Sequence, residues 1–178
     1  MEEKKVMDIL RYYRHDLMND LQVVHAYTSM GKLDKVEEKL ATYMAHYEEE
    51  RRLMNLNAPN FALWLIPFNS IHPNFRFTYA IRDEIDISEI DEELTAYSQQ
   101  CVSHMQKFSK DSELYEGKFL FQYHPKVKQL KVQLTLAGSF NEIVNDDFPI
   151  ESKNITHNRS ENLFTYTITI PRIRKGEE

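Results

Sequence analysis

Residues 6–24 read VMDILRYYRHDLMNDLQVV, and apolar side chains recur in this stretch at alternating steps of three and four residues. Such spacing places side chains on one face of an α-helix. The side chains concerned are Val6, Leu10, Tyr13, Leu17, Leu21 and Val24. Because neither proline nor glycine occurs between Glu3 and Met30, the stretch predicts one long helix, ended by Gly31, that packs through this apolar face.

His15 lies on the other side of this helix, because each residue turns the helix by about 100°. We therefore expect its side chain to face water. Arg14 places a positive charge beside the ring, Asp16 can orient it, and Asn19 lies one turn further along the same face. A neutral imidazole is a nucleophile. The alternative is a solvated histidine without a role, but these polar neighbours favour a functional one.

A second amphipathic helix follows a short connection at residues 31–33. Asp34 and Glu37 have the spacing of an N-terminal capping pair, which predicts that the helix begins there. Its apolar positions again recur at steps of three and four, and they are Leu33, Val36, Leu40, Tyr43 and Tyr47. Because the connection is short, we predict an antiparallel helical hairpin.

Two amphipathic helices cannot bury both of their apolar faces completely against each other. Pairing with a second copy of the chain as a four-helix bundle covers the remaining faces, so the pattern predicts a homodimer. The alternative is that these faces pack against the chain's own C-terminal part.

The clearest break in the periodic pattern is Asn-Leu-Asn-Ala-Pro-Asn at residues 55–60. We place a domain boundary there, between a helical hairpin of residues 1–57 and an α/β sandwich of residues 58–178. The second domain is predicted to contain a buried helix or strand at 61–66, a helix at 89–108, and strands at 75–81, 118–123, 129–136 and 163–170. The fold class is therefore α+β.

Composition excludes several classes of protein. The chain has 22 Lys and Arg against 28 Asp and Glu, a net charge of −6, which argues against nucleic-acid binding. No apolar run is long enough to span a membrane, and the single Cys101 rules out an intramolecular disulfide and fits the cytoplasm. We expect no metal site, since the acidic pair Asp146-Asp147 offers too few oxygen ligands.

The string Arg14-His15-Asp16-Leu17-Met18-Asn19-Asp20-Leu21-Gln22 resembles the phospho-accepting box of two-component histidine kinases. It is most similar to the histidine phosphotransferases of the sporulation phosphorelay in endospore-forming bacteria. Chain length and the helical hairpin are similar to that family as well. The order of elements in the C-terminal part resembles the ATP-binding domain of histidine kinases.

The glycines of the chain depart from the kinase pattern. Nucleotide pockets of that family use glycine-rich segments, because the backbone must approach the phosphates closely. Here the four glycines, Gly31, Gly117, Gly138 and Gly176, are isolated. We therefore expect a degenerate ATPase-like domain that binds no nucleotide or other cofactor.

The resemblance implies a phosphotransferase without autokinase activity. His15 would accept a phosphoryl group from the aspartyl phosphate of one response-regulator receiver and pass it to the aspartate of a second receiver. Arg14 would offset phosphoryl charge, Asn19 and Gln22 would shape the docking surface, and the Mg²⁺ would belong to the receiver. The alternatives are a non-catalytic dimeric signalling module and a fragment of a sensor kinase, and the missing glycine-rich segments count against the kinase.

Overall fold

Two long helices form the N-terminal part of the chain in the computed structural model, which describes residues 3–83, 85–141 and 154–171. Helix α1 spans Glu3–Ser29 and helix α2 spans Leu33–Met54. Gly31 has a φ of +66°, a left-handed conformation that glycine adopts without strain, so the chain reverses within three residues. The two helices pack side by side, and the Tyr47 hydroxyl donates a hydrogen bond to Asp20 Oδ2 at 3.2 Å.

The predicted capping pair of Asp34 and Glu37 is wrong. Helix α2 begins at Leu33, Lys32 rather than Asp34 occupies the N-cap position, and no side chain caps the helix. The backbone of the turn sets this start. The Lys32 amide donates to the Tyr27 carbonyl at 3.0 Å, and the Lys32 carbonyl accepts from the Val36 amide at 3.1 Å. Asp34 therefore lies inside the first turn of the helix.

The apolar face of α1 is only partly covered within one chain. Leu17 and Val24 are half-buried against α2, whereas Leu10 is 54% exposed and Leu21 is 51% exposed. On α2, Leu33 and Leu40 are exposed in the same way. The hairpin thus leaves an apolar strip open to solvent, and this strip includes Leu10, Leu21, Leu33 and Leu40.

The C-terminal part is a five-stranded sheet with helices on one face. The remaining helices are α3 at Pro59–Leu65, α4 at Phe68–Ile71 and α5 at Asp91–Gln106, and the strands are β1 at Phe75–Ile81, β2 at Tyr115–His124, β3 at Gln129–Ala137, β4 at Ile155–Ser160 and β5 at Leu163–Pro171. The strand order is β1-β2-β3-β5-β4. Only the β1–β2 pair is parallel, and its crossover contains α5. The fold is α+β, as the sequence predicted.

The core lies between the sheet and the helices. Side chains alternate between buried and exposed along β1 and β2, as expected when one face of a sheet is covered. Phe61 of α3 is fully buried and makes edge-to-face contacts with Phe119 and Phe121. Leu53 and Leu56, each 1% exposed, extend this core into the end of α2.

Two local features of the sheet differ from the sequence prediction. Strand β2 begins at Tyr115, before Gly117 rather than after it. Gly117 lies inside the strand against the Phe77 ring, where a Cβ atom would be 2.2 Å from Phe77 Cε1. Strand β4 was missed. It is an edge strand with one buried residue, Ile155, so it lacks the apolar alternation that identifies strands.

Residues 142–153 lie outside the described part of the chain, and the acidic pair Asp146-Asp147 is among them. Among the helices that the structure describes, none combines the length and the apolar character needed to cross a membrane.

Candidate functional site

His15 stands near the middle of α1 with 71% of its side chain exposed. No glycine or proline interrupts the helix around it, so the backbone at this position is rigid. Asn19, four residues further along, lies on the same face of the helix. An imidazole in this position is accessible to a macromolecular partner.

Two polar groups meet the same ring nitrogen of His15. Asp16 Oδ1 is 3.3 Å from Nδ1, and Asn19 Nδ2 is 3.2 Å from Nδ1. A proton on Nδ1 can be donated to Asp16, which leaves the lone pair of Nε2 free for nucleophilic attack. Asn19 can support the same tautomer through its amide oxygen after rotation of the amide by half a turn.

Asp16 connects the histidine to the C-terminal domain. Its second carboxylate oxygen, Oδ2, accepts a hydrogen bond from the Ser70 hydroxyl of α4. Helix α4 is held in place by the neighbouring Asn69, whose side chain donates to the Phe77 carbonyl at 2.9 Å and accepts from the Phe77 amide at 2.8 Å. Strand β1 therefore fixes the position of the group that contacts Asp16.

A cleft of about 620 Å³ lies beside His15, between α1 and the segment that runs from α4 into β1. Both walls contribute an arginine, Arg11 from α1 and Arg76 from β1. The other lining residues are Tyr12, His15, Asp16, Asn69, Ser70 and Pro73. The cleft thus combines an exposed imidazole with two permanent positive charges.

The structure brings together three of the residues singled out in the sequence, namely His15, Asp16 and Asn19. Arg14 and Gln22 are exposed on α1, and neither is among the residues that line the cleft in the described part of the chain.

Sequence reasoning missed Arg11, Ser70 and Arg76. Arg11 lies four residues before His15, and that helical spacing was a usable signal. The other two residues are distant in sequence and carried no signal.

A buried carboxylate lies beneath this site. Glu50 of α2 is 4% exposed, and burial raises its pKa above the ordinary value. It shares a small cavity of about 40 Å³ with Tyr13, His46, Asp16 and other residues. Burial and the Glu50 charge together raise the pKa of Tyr13. The hairpin and the C-terminal domain therefore meet at a polar, tightly packed junction.

No group of three or more His, Cys, Asp or Glu side chains is arranged to hold a metal ion within residues 3–83, 85–141 and 154–171. The chemistry that the described residues offer is that of an exposed nucleophile with nearby cations.

The chain is a helical hairpin that presents an exposed histidine and continues into an α/β part. Residues 1–56 match the family described as Sensor_kinase_SpoOB-type, alpha-helical domain. A relative, sporulation initiation phosphotransferase B of Bacillus subtilis (strain 168), is 30% identical over 144 residues, covering 76% of this chain and 71% of the relative. The chain belongs to the sporulation initiation phosphotransferase B family.

The comparison with solved structures finds histidine kinases, at low sequence identity. The blue-light activated histidine kinase of Erythrobacter litoralis is 16% identical, with a TM-score of 0.49, and the match covers 96% of this chain and 61% of that one. The histidine kinase AdeS of Acinetobacter baumannii is 10% identical, with a TM-score of 0.43, and the match covers 88% of this chain and 97% of that one. The family membership rests on the sequence relative.

Proposed function

We propose that this chain is a phosphorelay phosphotransferase that controls the initiation of sporulation in the cytoplasm. His15 accepts a phosphoryl group from the aspartyl phosphate of one response-regulator receiver and passes it to the aspartate of a second receiver. The observation that carries the proposal is the exposed His15 ring, whose Nδ1 lies beside Asp16 Oδ1 while the rest of the ring faces solvent.

The first transfer needs a neutral imidazole with a free lone pair on Nε2. Nε2 attacks phosphorus in line, the bond between phosphorus and the receiver's carboxylate oxygen breaks, and the carboxylate leaves with the electron pair. The Nδ1 proton stays on the ring and is stabilised by Asp16. The second transfer is the reverse reaction, with the carboxylate of the next receiver as the nucleophile.

Most of the catalysis in such a transfer comes from positioning and from neutralising phosphoryl oxygens. The rigid α1 supplies the positioning. The Mg²⁺ that the reaction needs belongs to the receiver's acidic pocket in this proposal, and this chain binds neither nucleotide nor metal. The isolated glycines support the absence of autokinase activity, because no glycine-rich segment is present to approach a nucleotide's phosphates.

The proposal includes a homodimer formed by the hairpin of residues 1–57, with residues 58–178 as the degenerate ATPase-like domain. The apolar strip that one chain leaves open supports the dimer, because Leu10 and Leu21 remain about half exposed. A second copy covers this strip when two hairpins pair as a four-helix bundle. The two His15 rings then lie on the outside of the bundle, where two receivers can dock.

The test is to incubate the full chain with a phosphorylated receiver and Mg²⁺ and to measure acid-labile, base-stable phosphate on the chain. His15→Ala is the test variant, and His25→Ala, an exposed histidine ten residues further along α1, is the matched control. We expect label on the wild type and on the control, and none on His15→Ala. A chain that stays unlabelled with cognate receivers would instead support the non-catalytic dimeric signalling module.

A further inference from the structure

The cleft beside His15 has the composition of an anion site. Its two arginines come from different parts of the chain, Arg11 from the phospho-acceptor helix and Arg76 from the first strand of the C-terminal domain. Guanidinium groups are well suited to bind phosphoryl oxygens, because their N–H donors form a planar fork. We propose that this cleft is a phosphoryl-binding site, in which Arg11 and Arg76 hold the oxygens of the group carried by His15.

Arg76 is already held in place on the C-terminal side of the cleft. Its Nη1 donates to the carbonyl oxygens of Pro73 at 2.9 Å and Phe75 at 2.8 Å. A guanidinium has five N–H donors, and these two bonds use Nη1 alone. Within the described part of the chain, Nε and Nη2 are therefore the donors that remain for an anion.

Arg11 approaches from the other wall, one helical turn before His15. Its Nη1 donates to Asp8 Oδ1 at 2.9 Å, in a pair whose side chains are 70% (Arg11) and 41% (Asp8) exposed. Solvent screens such surface pairs, so Asp8 holds the arginine only weakly. The guanidinium can turn towards a doubly charged phosphoryl group without losing a strong contact.

The charge balance of the cleft favours such a group. The lining contains two guanidinium groups and one carboxylate, that of Asp16, whose oxygens are directed to His15 and Ser70. A phosphoryl dianion on His15 adds two negative charges next to a net positive lining. The two arginines therefore offset the added charge, and they do so from both domains.

The inference rests on the proposed role of His15, and it gives the C-terminal domain a part in phosphotransfer that requires no nucleotide. Arg76 contacts the phosphoryl oxygens directly in the phosphorylated form. The site also differs from the one expected in the sequence, where Arg14 was assigned to offset the phosphoryl charge.

The test uses phosphoramidate, a small phosphoryl donor, so that it does not depend on any receiver. His15 Nε2 attacks phosphorus, the phosphorus–nitrogen bond breaks, ammonia leaves, and the ring keeps its Nδ1 proton. The full chain and its Arg11→Gln and Arg76→Gln variants are labelled, and the pKa of the phosphoryl group is titrated by phosphorus NMR. Arg82→Gln is the matched control, because Arg82 is exposed just after β1 and lines a different cavity.

We expect Arg11→Gln and Arg76→Gln to raise the phosphoryl pKa and to slow labelling by about three- to tenfold, because a nearby cation favours the dianion. Arg82→Gln should change neither value, and Arg76→Lys should restore most of the pKa. A phosphoryl pKa in both test variants equal to that of the control would overturn the proposal, as would a folded chain that phosphoramidate does not label on His15. If phosphorylated receivers do not label the chain but the phosphoramidate results are as expected, the proposed relay function is wrong and the phosphoryl-binding site still stands.

Discussion

Asp16 lies between His15 and Ser70 and contacts both, with Oδ1 at 3.3 Å from the imidazole Nδ1 and Oδ2 accepting from the Ser70 hydroxyl. Ser70 is 54 residues further along the chain. One carboxylate thus joins His15 on α1 to the C-terminal part of the chain. We therefore expect a substitution of Asp16 or Ser70 to alter the orientation of the His15 ring.

We predict that Asp16→Ala slows phosphorylation of His15 by about tenfold, because the Nδ1–H tautomer loses its acceptor. Ser70→Ala should slow it by a smaller factor, since Asp16 remains but is less well oriented. The measurement is the initial rate of labelling by a phosphorylated receiver, with Ser88→Ala as an exposed serine control. A Ser70→Ala rate equal to that of the wild type would show that the contact has no positioning role.

The apolar strip of α1 gives a prediction about assembly. If the proposed dimer forms through this strip, Leu10→Glu combined with Leu21→Glu should make the chain sediment as a monomer in sedimentation velocity, because two carboxylates per chain would be buried at the interface without partners. Circular dichroism should show that the helices persist. Leu114→Glu, which changes an exposed leucine outside the hairpin, should sediment like the wild type. A double variant that sediments as a dimer would exclude this face as the interface.

Glu50 gives a prediction about pH. Burial raises its pKa in the folded chain above the ordinary 4.5, so the folded state binds its proton more tightly than the unfolded state. The contribution of this group to stability is therefore fully present below the unfolded pKa and is lost as the pH rises through the folded pKa.

Glu50→Gln removes this dependence. Relative to the wild type, the free energy of unfolding of the variant should increase as the pH is raised from about 4 to about 7. Urea denaturation at both pH values measures it, and the exposed Glu37→Gln serves as the control. A constant difference between Glu50→Gln and the wild type across this range would contradict the prediction.

Cys101 gives a prediction about reactivity. The side chain is fully buried in α5, and burial raises the pKa of its thiol to about 12. Since the thiolate is the reactive form, a disulfide reagent at neutral pH should modify the folded chain only as fast as the chain opens. Adding urea should therefore accelerate the modification in step with unfolding. Rapid modification without urea would show that α5 packs more loosely than the structure indicates.

The elements that the sequence predicted best are those in which apolar side chains recur at regular spacing. Residues 75–81 alternate apolar and polar side chains, and the structure has β1 at Phe75–Ile81. The long helix predicted for residues 3–30 corresponds to α1 for the same reason. Strand β4 had no such signal, because Thr156–Ser160 is polar and its strand conformation comes from pairing with β5.

The sequence predicted only the part of the site that lies on helix α1. His15, Asp16 and Asn19 are close in sequence, so helical geometry alone brings them together. Arg76 and Ser70 reach the site through the packing of the C-terminal part of the chain, which no local sequence pattern indicates. The predicted start of α2 was wrong for a related reason, because backbone hydrogen bonds of the turn, rather than the Asp34 side chain, decide where the helix begins.

The contact between α2 and β1 has a consequence for the behaviour of the sheet on its own. Strand β1 is at one edge of the sheet, and α2 covers its end, where the Ile81 amide donates to Glu49 Oε2 at 3.1 Å and Arg52 Nη1 donates to the Ile81 carbonyl at 3.4 Å. An uncovered edge strand is a template for pairing with other chains. The hairpin thus covers the end of this edge strand, and we expect a C-terminal part released from it by proteolysis near residue 57 to form intermolecular sheets more readily than the full chain.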